Sequence, residues 1–209
     1  MNINFDELMT QEIKNLKHKP SLLLHICCAP CSSGVLDRLI KHFNVTALFY
    51  NPNISEKEEY EKRKEEFLKF NKTAKYNISI IDCEHSPSDF LKISEGLEKE
   101  PEGGKRCEKC FELRLTKTAQ IAKKYTFEYF TTTLSVSPYK NSTLLNNLGK
   151  NIGEKFGVKY LISDFKKKNG YLNSIINSEK YSLYRQDYCG CIYSKLERET
   201  YKNNKINKN

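Results

Sequence analysis

The sequence lacks the features of a membrane or secreted protein. It contains no apolar run of roughly eighteen residues, the length that a transmembrane helix requires. Residues 1–17 also lack the basic start and apolar run of a secretory signal, because Asp6, Glu7 and Glu12 lie among their apolar residues. The sequence therefore predicts a cytoplasmic protein with no membrane partner. In that compartment thiols stay reduced, and close cysteine pairs usually serve metal binding or redox catalysis.

Complete glycine-rich phosphate loops are missing too. Gly103-Gly104 lie in a predicted flexible loop, and neither common phosphate-binding pattern is present. Residues 32–37, Ser-Ser-Gly-Val-Leu-Asp, only partly match the Ser-Gly-Gly-x-Asp-Ser loop of ATP-splitting tRNA-modifying enzymes, since the second Gly and the final Ser are absent. An ATP-dependent tRNA sulfur-transfer enzyme is therefore an alternative that this degraded loop argues against.

Acidic residues are in the minority. The chain has 35 Lys and Arg against 26 Asp and Glu, a formal net charge of +9. Such a charge is typical of proteins that bind a phosphate backbone. A composition biased toward Lys, Asn and Ile explains it equally well, so charge alone leaves both interpretations open. Residues 166–168, three lysines, are interpreted as a solvated loop, and residues 196–209 as a basic tail that frays over 201–209.

Short apolar runs alternate with helical patterns along the chain. The spacing predicts helices over 1–17, after Pro30, and over 55–71, 88–99, 106–125 and 142–156, with Ser55 and Glu58 as a capping box. Apolar, β-branched and aromatic runs predict strands at 21–27, 44–50, 77–83, 129–134 and 158–162. This alternation predicts an α/β, Rossmann-like fold with a mostly parallel sheet, helices on both faces and ligands beyond the carboxyl ends of the strands. We expect one domain over residues 1–209, with a core at about 21–195.

Cysteine is unusually arranged. Of eight cysteines, Cys83 stands apart as a predicted core residue, and His25 is likewise interpreted as a core histidine. The first cluster is Cys27-Cys28-Ala29-Pro30-Cys31. Adjacent residues on a strand point to opposite faces, but Pro30 disfavours a helical Ala29, so a loop there can bring three thiolates near one point. The cluster therefore predicts a metal site at the carboxyl-terminal rim of the sheet.

The second cluster is Cys107 and Cys110, three residues apart at the start of a predicted helix. They share one helix face, and the helix N-terminus is expected to lower their pKa. Two ligands from here and two from the first cluster would complete a four-thiolate site, which zinc and iron–sulfur clusters both accept. A zinc-stapled nucleic-acid-binding module therefore remains open at this point.

The third cluster is Cys189-Gly190-Cys191. Glycine tolerates the strained backbone that a disulfide across one residue demands, and strained disulfides are easily reduced. A redox-active dithiol and a pair of extra metal ligands are equally compatible with this spacing.

Together these segments resemble the epoxyqueuosine reductase family QueH. The resemblance rests on five segments spanning about residues 21–195: 25–32 (HICCAPCS), 49–54 (FYNPNI) with Glu59-Tyr60 and Arg63, 106–115 (RCEKCFELRL), 131–134 (TTTL) with Ser137-Pro138, and 184–194 (YRQDYCGCIYS). Asp187 occupies a variable place in the last segment, and Phe111 stands where Tyr is frequent. The order and number of the segments make the match specific.

The resemblance implies an oxidoreductase that reduces the epoxide of epoxyqueuosine in tRNA to the cyclopentene of queuosine. It implies a HUP-type fold, a [4Fe-4S] cluster on Cys27, Cys28, Cys107 and Cys110, a redox-active pair at Cys189 and Cys191, and no need for cobalamin. Cys31 is a candidate ligand of a second iron or other metal ion. The implied partners are the Asp, Asn, His and Tyr tRNAs and an unidentified electron donor, and we expect a monomer.

Removal of an epoxide oxygen as water needs two electrons and two protons, so a general acid is required. The candidates are Asp82, Tyr188 and Tyr139. A base in an anticodon loop is gripped by aromatic stacking and basic grooves. Four arginines in or beside the motifs are the predicted phosphate contacts: Arg63, Arg106, Arg114 and Arg185.

Overall fold

The computed structural model describes residues 3–206 and contains a five-stranded parallel sheet. The strands lie in the order β3-β2-β1-β4-β5, with every neighbouring pair parallel. Their bounds are β1 Ser21–Ile26, β2 Asn44–Phe49, β3 Ser79–Asp82, β4 Tyr129–Thr132 and β5 Lys159–Tyr160. The predicted α/β class and parallel sheet are confirmed, and the carboxyl ends of the strands share one rim.

Helices connect these strands and cover the sheet. They are α1 Phe5–Lys14, α2 Ala29–Ser33, α3 Leu36–Leu39, α4 Lys57–Thr73, α5 Pro87–Ser94, α6 Lys105–Lys124, α7 Ser142–Phe156, α8 Gly170–Lys180 and α9 Ile192–Ile206. A 3₁₀ turn, Thr133–Val136, follows β4. Within residues 3–206, none of the helices is long and apolar enough to span a membrane.

The alternation of side chains along β1 divides the core into two halves. Leu22 and Leu24 pack among residues of α1 to α4, including Phe67, whereas Leu23 packs with Leu115 of α6 and Leu145 of α7. All of β1 after Ser21 is buried, as a central strand covered on both faces requires. This two-sided packing fixes where β1 ends, and the first cysteine cluster begins at that point.

Several predicted boundaries differ from the structure. The helix after Pro30 is split into α2 and α3, and the helix predicted to reach residue 99 ends at Ser94. Helix α4 begins after Glu56, so the capping box is wrong: the Ser55 hydroxyl instead accepts a hydrogen bond from the Ile192 N–H at 3.0 Å. Residues 166–168 do form a turn.

Helices α8 and α9 are absent from the sequence prediction. The predicted frayed tail is wrong through Ile206, since α9 continues to that residue. Residues 207–209 lie outside the described range. Helix α8 packs on α2 where a β-carbon at Gly34 would collide with the Gly170 carbonyl. The local sequence did not predict α8, and its packing on α2 is known only from the folded structure.

Candidate metal and redox site

The first cysteine cluster forms a compact turn directly after β1. The sulfur atoms of Cys27, Cys28 and Cys31 all lie within 4.8 Å of one another, a spacing that suits a metal ion. Extended backbone ends at Cys28 (φ −171°), and α2 begins at Ala29 with Pro30 in its first turn. The predicted non-helical Ala29 is therefore wrong, because the chain turns one residue earlier. The convergence of the three thiols is confirmed.

The three thiols share their protons unequally. Hydrogen bonds from Cys28 and Cys31 hold the pKa of Cys27 well below its usual value. Hydrogen bonding to Cys27 correspondingly raises the pKa of Cys28 to about 12, and that of Cys31 well above its usual value. Cys27 therefore loses its proton most readily of the three, and a bound metal would displace the protons of its ligands.

A buried polar network fixes the rim behind this turn. His25 Nδ1 lies 2.8 Å from Thr132 Oγ1 and its Nε2 lies 3.0 Å from the Tyr50 carbonyl, which joins β1 to β4 and to the end of β2. Arg114 of α6 donates to Asn51 Oδ1 at 2.5 Å, and Asn51 donates to the Ile26 carbonyl at 3.0 Å. Burial first, then Arg114, lowers the pKa of His25 to about 3, so the ring is neutral. The interpretation of His25 as a core residue is confirmed.

The second and third clusters meet in a small cavity. Cys107, Cys110, Cys189 and Cys191 all line it, together with Phe90 and Phe111. Burial raises the pKa of Cys107, and it raises those of Cys110 and Cys191 to about 11 and 12. For Cys107 and Cys110 the pKa is therefore raised by desolvation, and the predicted lowering at the start of α6 is wrong.

The turn that carries Cys189 and Cys191 is held by Ser194. The Ser194 hydroxyl accepts from the Cys189 N–H at 3.1 Å and donates to the Glu102 carboxylate at 3.1 Å, and the Ser194 N–H donates to Cys191 Sγ at 3.4 Å. Gly190 has φ +117°, a conformation that favours glycine. The expectation that this glycine is needed for its backbone is confirmed.

A larger open cavity of about 670 Å³ adjoins the small one. Cys189 and Glu102 line both cavities, and Cys27 and Cys31 line the larger. Aromatic and basic side chains complete the larger wall: Tyr139, Tyr171, Tyr188, Lys140, Arg185 and Arg198. Six of the eight cysteines thus line two adjoining cavities, and Cys189 of the third cluster lines both.

Lys140 brings positive charge to this wall. The ammonium makes no ion pair within residues 3–206. Burial acts to lower the pKa of Lys140, but the neighbouring Cys189 and Cys27 thiols outweigh burial and hold it above its usual value. A free cation therefore stands beside the thiols.

Three of the four arginines predicted to contact phosphate are buried. Arg63, Arg106 and Arg114 are at most 2 % exposed. Arg106 donates to the carbonyls of Leu97, Glu98 and Glu100 and so holds the loop before α6. Arg106 therefore anchors backbone, whereas Arg63 and Arg114, although buried, line the larger cavity. Arg185 alone of the four is exposed.

The three candidate proton donors differ in whether they line a cavity. Asp82 lines neither cavity; its carboxylate is half exposed and pairs with Lys64 at 3.1 Å. Asp82 thus lies at the sheet edge apart from the three cysteine clusters, and its role as a proton donor stays a prediction. Tyr188 and Tyr139 both line the larger cavity, and Tyr139 is 80 % exposed. Cys83 lines neither cavity and packs against the core, as predicted.

The family model "Epoxyqueuosine reductase QueH" matches residues 22–197. The chain belongs to the QueH family. A QueH epoxyqueuosine reductase of Streptococcus pyogenes serotype M1 is 42% identical over 199 residues, which cover 92% of this chain and 78% of that protein. The QueH of Thermotoga maritima is 38% identical, covering 85% of this chain and 92% of that protein.

Membership of the QueH family confirms the predicted family and the interpretation as an oxidoreductase. It does not favour a sulfur-transfer enzyme or a zinc-stapled module. A solved structure, the U34-tRNA thiolase NcsA from Methanococcus maripaludis with its [4Fe-4S] cluster, is similar to this chain with a TM-score of 0.54. The similarity covers 90% of this chain and 69% of that one at 16% identity, so it supports the fold alone.

Several site residues of this QueH chain escaped the sequence analysis. Glu102 and Ser194 support the third cluster, Lys140 charges the larger cavity, and Asn51 anchors Arg114. Asn51 and Ser194 fall inside the segments that resemble QueH, which is a signal that could have found them. Glu102 and Lys140 lie beside those segments, and only the folded chain brings them to the cysteines.

Proposed function

We propose that the chain reduces the epoxide of epoxyqueuosine in tRNA to the cyclopentene of queuosine at the larger cavity. One observation carries the proposal: Cys189 lies in the walls of both cavities and so links the first cysteine turn to the pair that includes Cys191. A substrate in the open cavity would lie beside the thiols that can reduce it.

The electron count of the reaction matches this pair. Breaking both C–O bonds of the epoxide and releasing the oxygen as water consumes two electrons and two protons. Oxidation of the Cys189 and Cys191 thiols to a disulfide releases two electrons and two protons. One turnover is therefore balanced by the pair alone, and an external electron donor must reduce the disulfide before the next.

The remaining thiols fit a metal cofactor. The available ligands are thiols, which iron–sulfur clusters require. The Gly103 N–H donates to Cys107 Sγ at 3.2 Å, and hydrogen bonds of this kind help to set the reduction potential of a cluster. Cys27, Cys28, Cys107 and Cys110 would hold a [4Fe-4S] cluster, and Cys31 would face a second metal ion. The cluster would supply one-electron transfer and Lewis acidity, without cobalamin.

The wall of the larger cavity suits a base from a single-stranded loop. Tyr139, Tyr171 and Tyr188 offer aromatic faces, while Arg185 and Arg198 add positive charge. The substrates would be the Asp, Asn, His and Tyr tRNAs. Tyr188, half-buried beside Cys189, is placed to donate a proton to the oxygen as it leaves.

The test is anaerobic turnover of epoxyqueuosine-bearing tRNA with a chemical reductant, together with iron and sulfide analysis. Cys189→Ser plus Cys191→Ser should keep iron but lose multiple turnover, whereas Cys27→Ser or Cys107→Ser should lose iron. Cys83→Ser is the matched control and should keep both. A colourless wild-type protein that holds only zinc would overturn the cluster, and loss of iron in the double variant would make the pair ligands instead.

A further inference from the structure

Arg63 of α4 joins the third cysteine cluster to the rest of the site. Its Nε donates to Glu59 Oε1 at 2.7 Å, and its Nη1 donates to the Cys189 carbonyl at 3.0 Å. The Tyr188 ring lies 5.3 Å from the guanidinium carbon. The side chain is 2 % exposed, so these contacts lie inside the molecule. A single guanidinium therefore connects helix α4 to the turn before α9.

The charges around Arg63 come from both cysteine groups. Burial acts to lower the pKa of Arg63, but Cys28, Glu59 and Cys189 together raise it above its usual value. Nη2 is buried and has no hydrogen-bond partner within residues 3–206. An unpaired buried donor is costly, so this nitrogen is free to bind an electron-rich atom.

We propose that Arg63 is a positioning residue that holds the Cys189–Cys191 turn to helix α4 and makes the Cys189–Cys191 disulfide easier to reduce. A disulfide is neutral, whereas its reduced form can carry negative charge, so a buried cation beside Cys189 favours the reduced state. Glu59 opposes this effect, because its carboxylate neutralises part of the guanidinium charge. The inference rests on the redox role proposed above for the pair.

Two variants should shift the reduction potential of the disulfide in opposite directions if the role of Arg63 is electrostatic, which a merely structural role would not do. Removing the cation with Arg63→Gln should make the disulfide harder to reduce. Removing the opposing charge with Glu59→Gln should make it easier, since the amide oxygen can still accept from Arg63. Arg63→Lys keeps the charge and should stay near the wild type. Arg38→Gln is the control, because it breaks an ion pair with Asp6 in another part of the fold.

The measurement equilibrates anaerobic, metal-loaded protein in glutathione redox buffers and determines the Cys189–Cys191 disulfide fraction by alkylation and mass spectrometry. We expect the equilibrium constant for reduction of the disulfide to fall about tenfold in Arg63→Gln, which lowers its reduction potential by roughly 30 mV. In Glu59→Gln the same equilibrium constant should rise. If Arg63→Gln does not fold, the other two variants provide the same test. The equilibrium constant for reduction should then rise in Glu59→Gln and stay unchanged in Arg63→Lys.

Unchanged potentials, or shifts of Arg63→Gln and Glu59→Gln in the same direction, would overturn the role of Arg63. Failure of the underlying redox proposal looks different. In that case the wild-type protein forms no reversible disulfide between Cys189 and Cys191 at any glutathione ratio.

Discussion

Gly190 lies against the guanidinium of Arg63. A β-carbon added at Gly190 would lie 3.2 Å from Arg63 Nη1, and 3.0 Å from Cγ1 of Ile54 on its other side. The residue also has φ +117°. The third cysteine cluster is therefore constrained twice, by its backbone conformation and by its closeness to a buried cation.

Gly190→Ala should consequently lower the free energy of unfolding by about 1–3 kcal/mol and reduce turnover. Gly157→Ala is the matched control, because Gly157 has φ +69° but nothing within 4 Å of an added β-carbon. We expect it to lose stability through its backbone alone and to keep its activity. Equal losses of activity in both variants would contradict a specific role for the Gly190 contact.

Tyr139 should matter to tRNA without mattering to folding. Its side chain is 80 % exposed and lines the larger cavity, so Tyr139→Ala removes a stacking surface and little core packing. Loss of one base–aromatic stack costs about 1–3 kcal/mol, which predicts a tRNA Kd at least several-fold weaker. The exposed Tyr125 at the end of α6 provides the control, Tyr125→Ala. Equal tRNA affinity of the two variants at low salt would remove Tyr139 from the interface.

Two exposed carboxylates should behave differently. Glu102 lines both cavities and accepts from Ser194, whereas Asp82 pairs with Lys64 outside them. Glu102→Gln weakens a charged hydrogen bond worth about 1.5–3 kcal/mol, so we expect turnover to fall about tenfold or more. Asp82→Asn breaks a surface ion pair and should leave turnover intact. Single-turnover kinetics of both variants check this prediction. A larger loss of rate in Asp82→Asn than in Glu102→Gln would show that Asp82, and not Glu102, supports the reaction.

His25 should make the fold sensitive to acid. Its pKa is about 3 in the folded protein against the ordinary histidine value of 6.5, so the unfolded state binds the proton more readily between these values. The stability from neutral His25 is complete above pH 6.5 and is lost as the pH falls toward 3, by up to about 5 kcal/mol. His25→Gln cannot titrate, so its unfolding free energy should fall less between pH 7.5 and 5. Parallel pH curves for the two proteins would show that His25 is not responsible.

The sequence by itself determined the sheet and the chemistry of the thiols. The apolar run of β1 and the helical spacing in α7 are local signals, and Ser142–Phe156 was predicted to the residue. Cys27, Cys28 and Cys31 could be expected to converge, since a turn between two strong elements brings near neighbours together. The family could be recognised because its motifs are short and ordered along the chain.

Only the tertiary structure decided which distant groups meet. No local pattern distinguishes Asp82 from Glu102, or an exposed arginine from the buried Arg63, because burial depends on which helix covers each residue. The sequence of helix α9 is mixed and mostly polar, so it gives no clear helical pattern. In the folded chain Ser194, in the first turn of α9, binds the turn that carries Cys189. The physical reason is common to all of these: contacts between residues distant in the sequence set which side chains are buried, and local propensity does not encode those contacts.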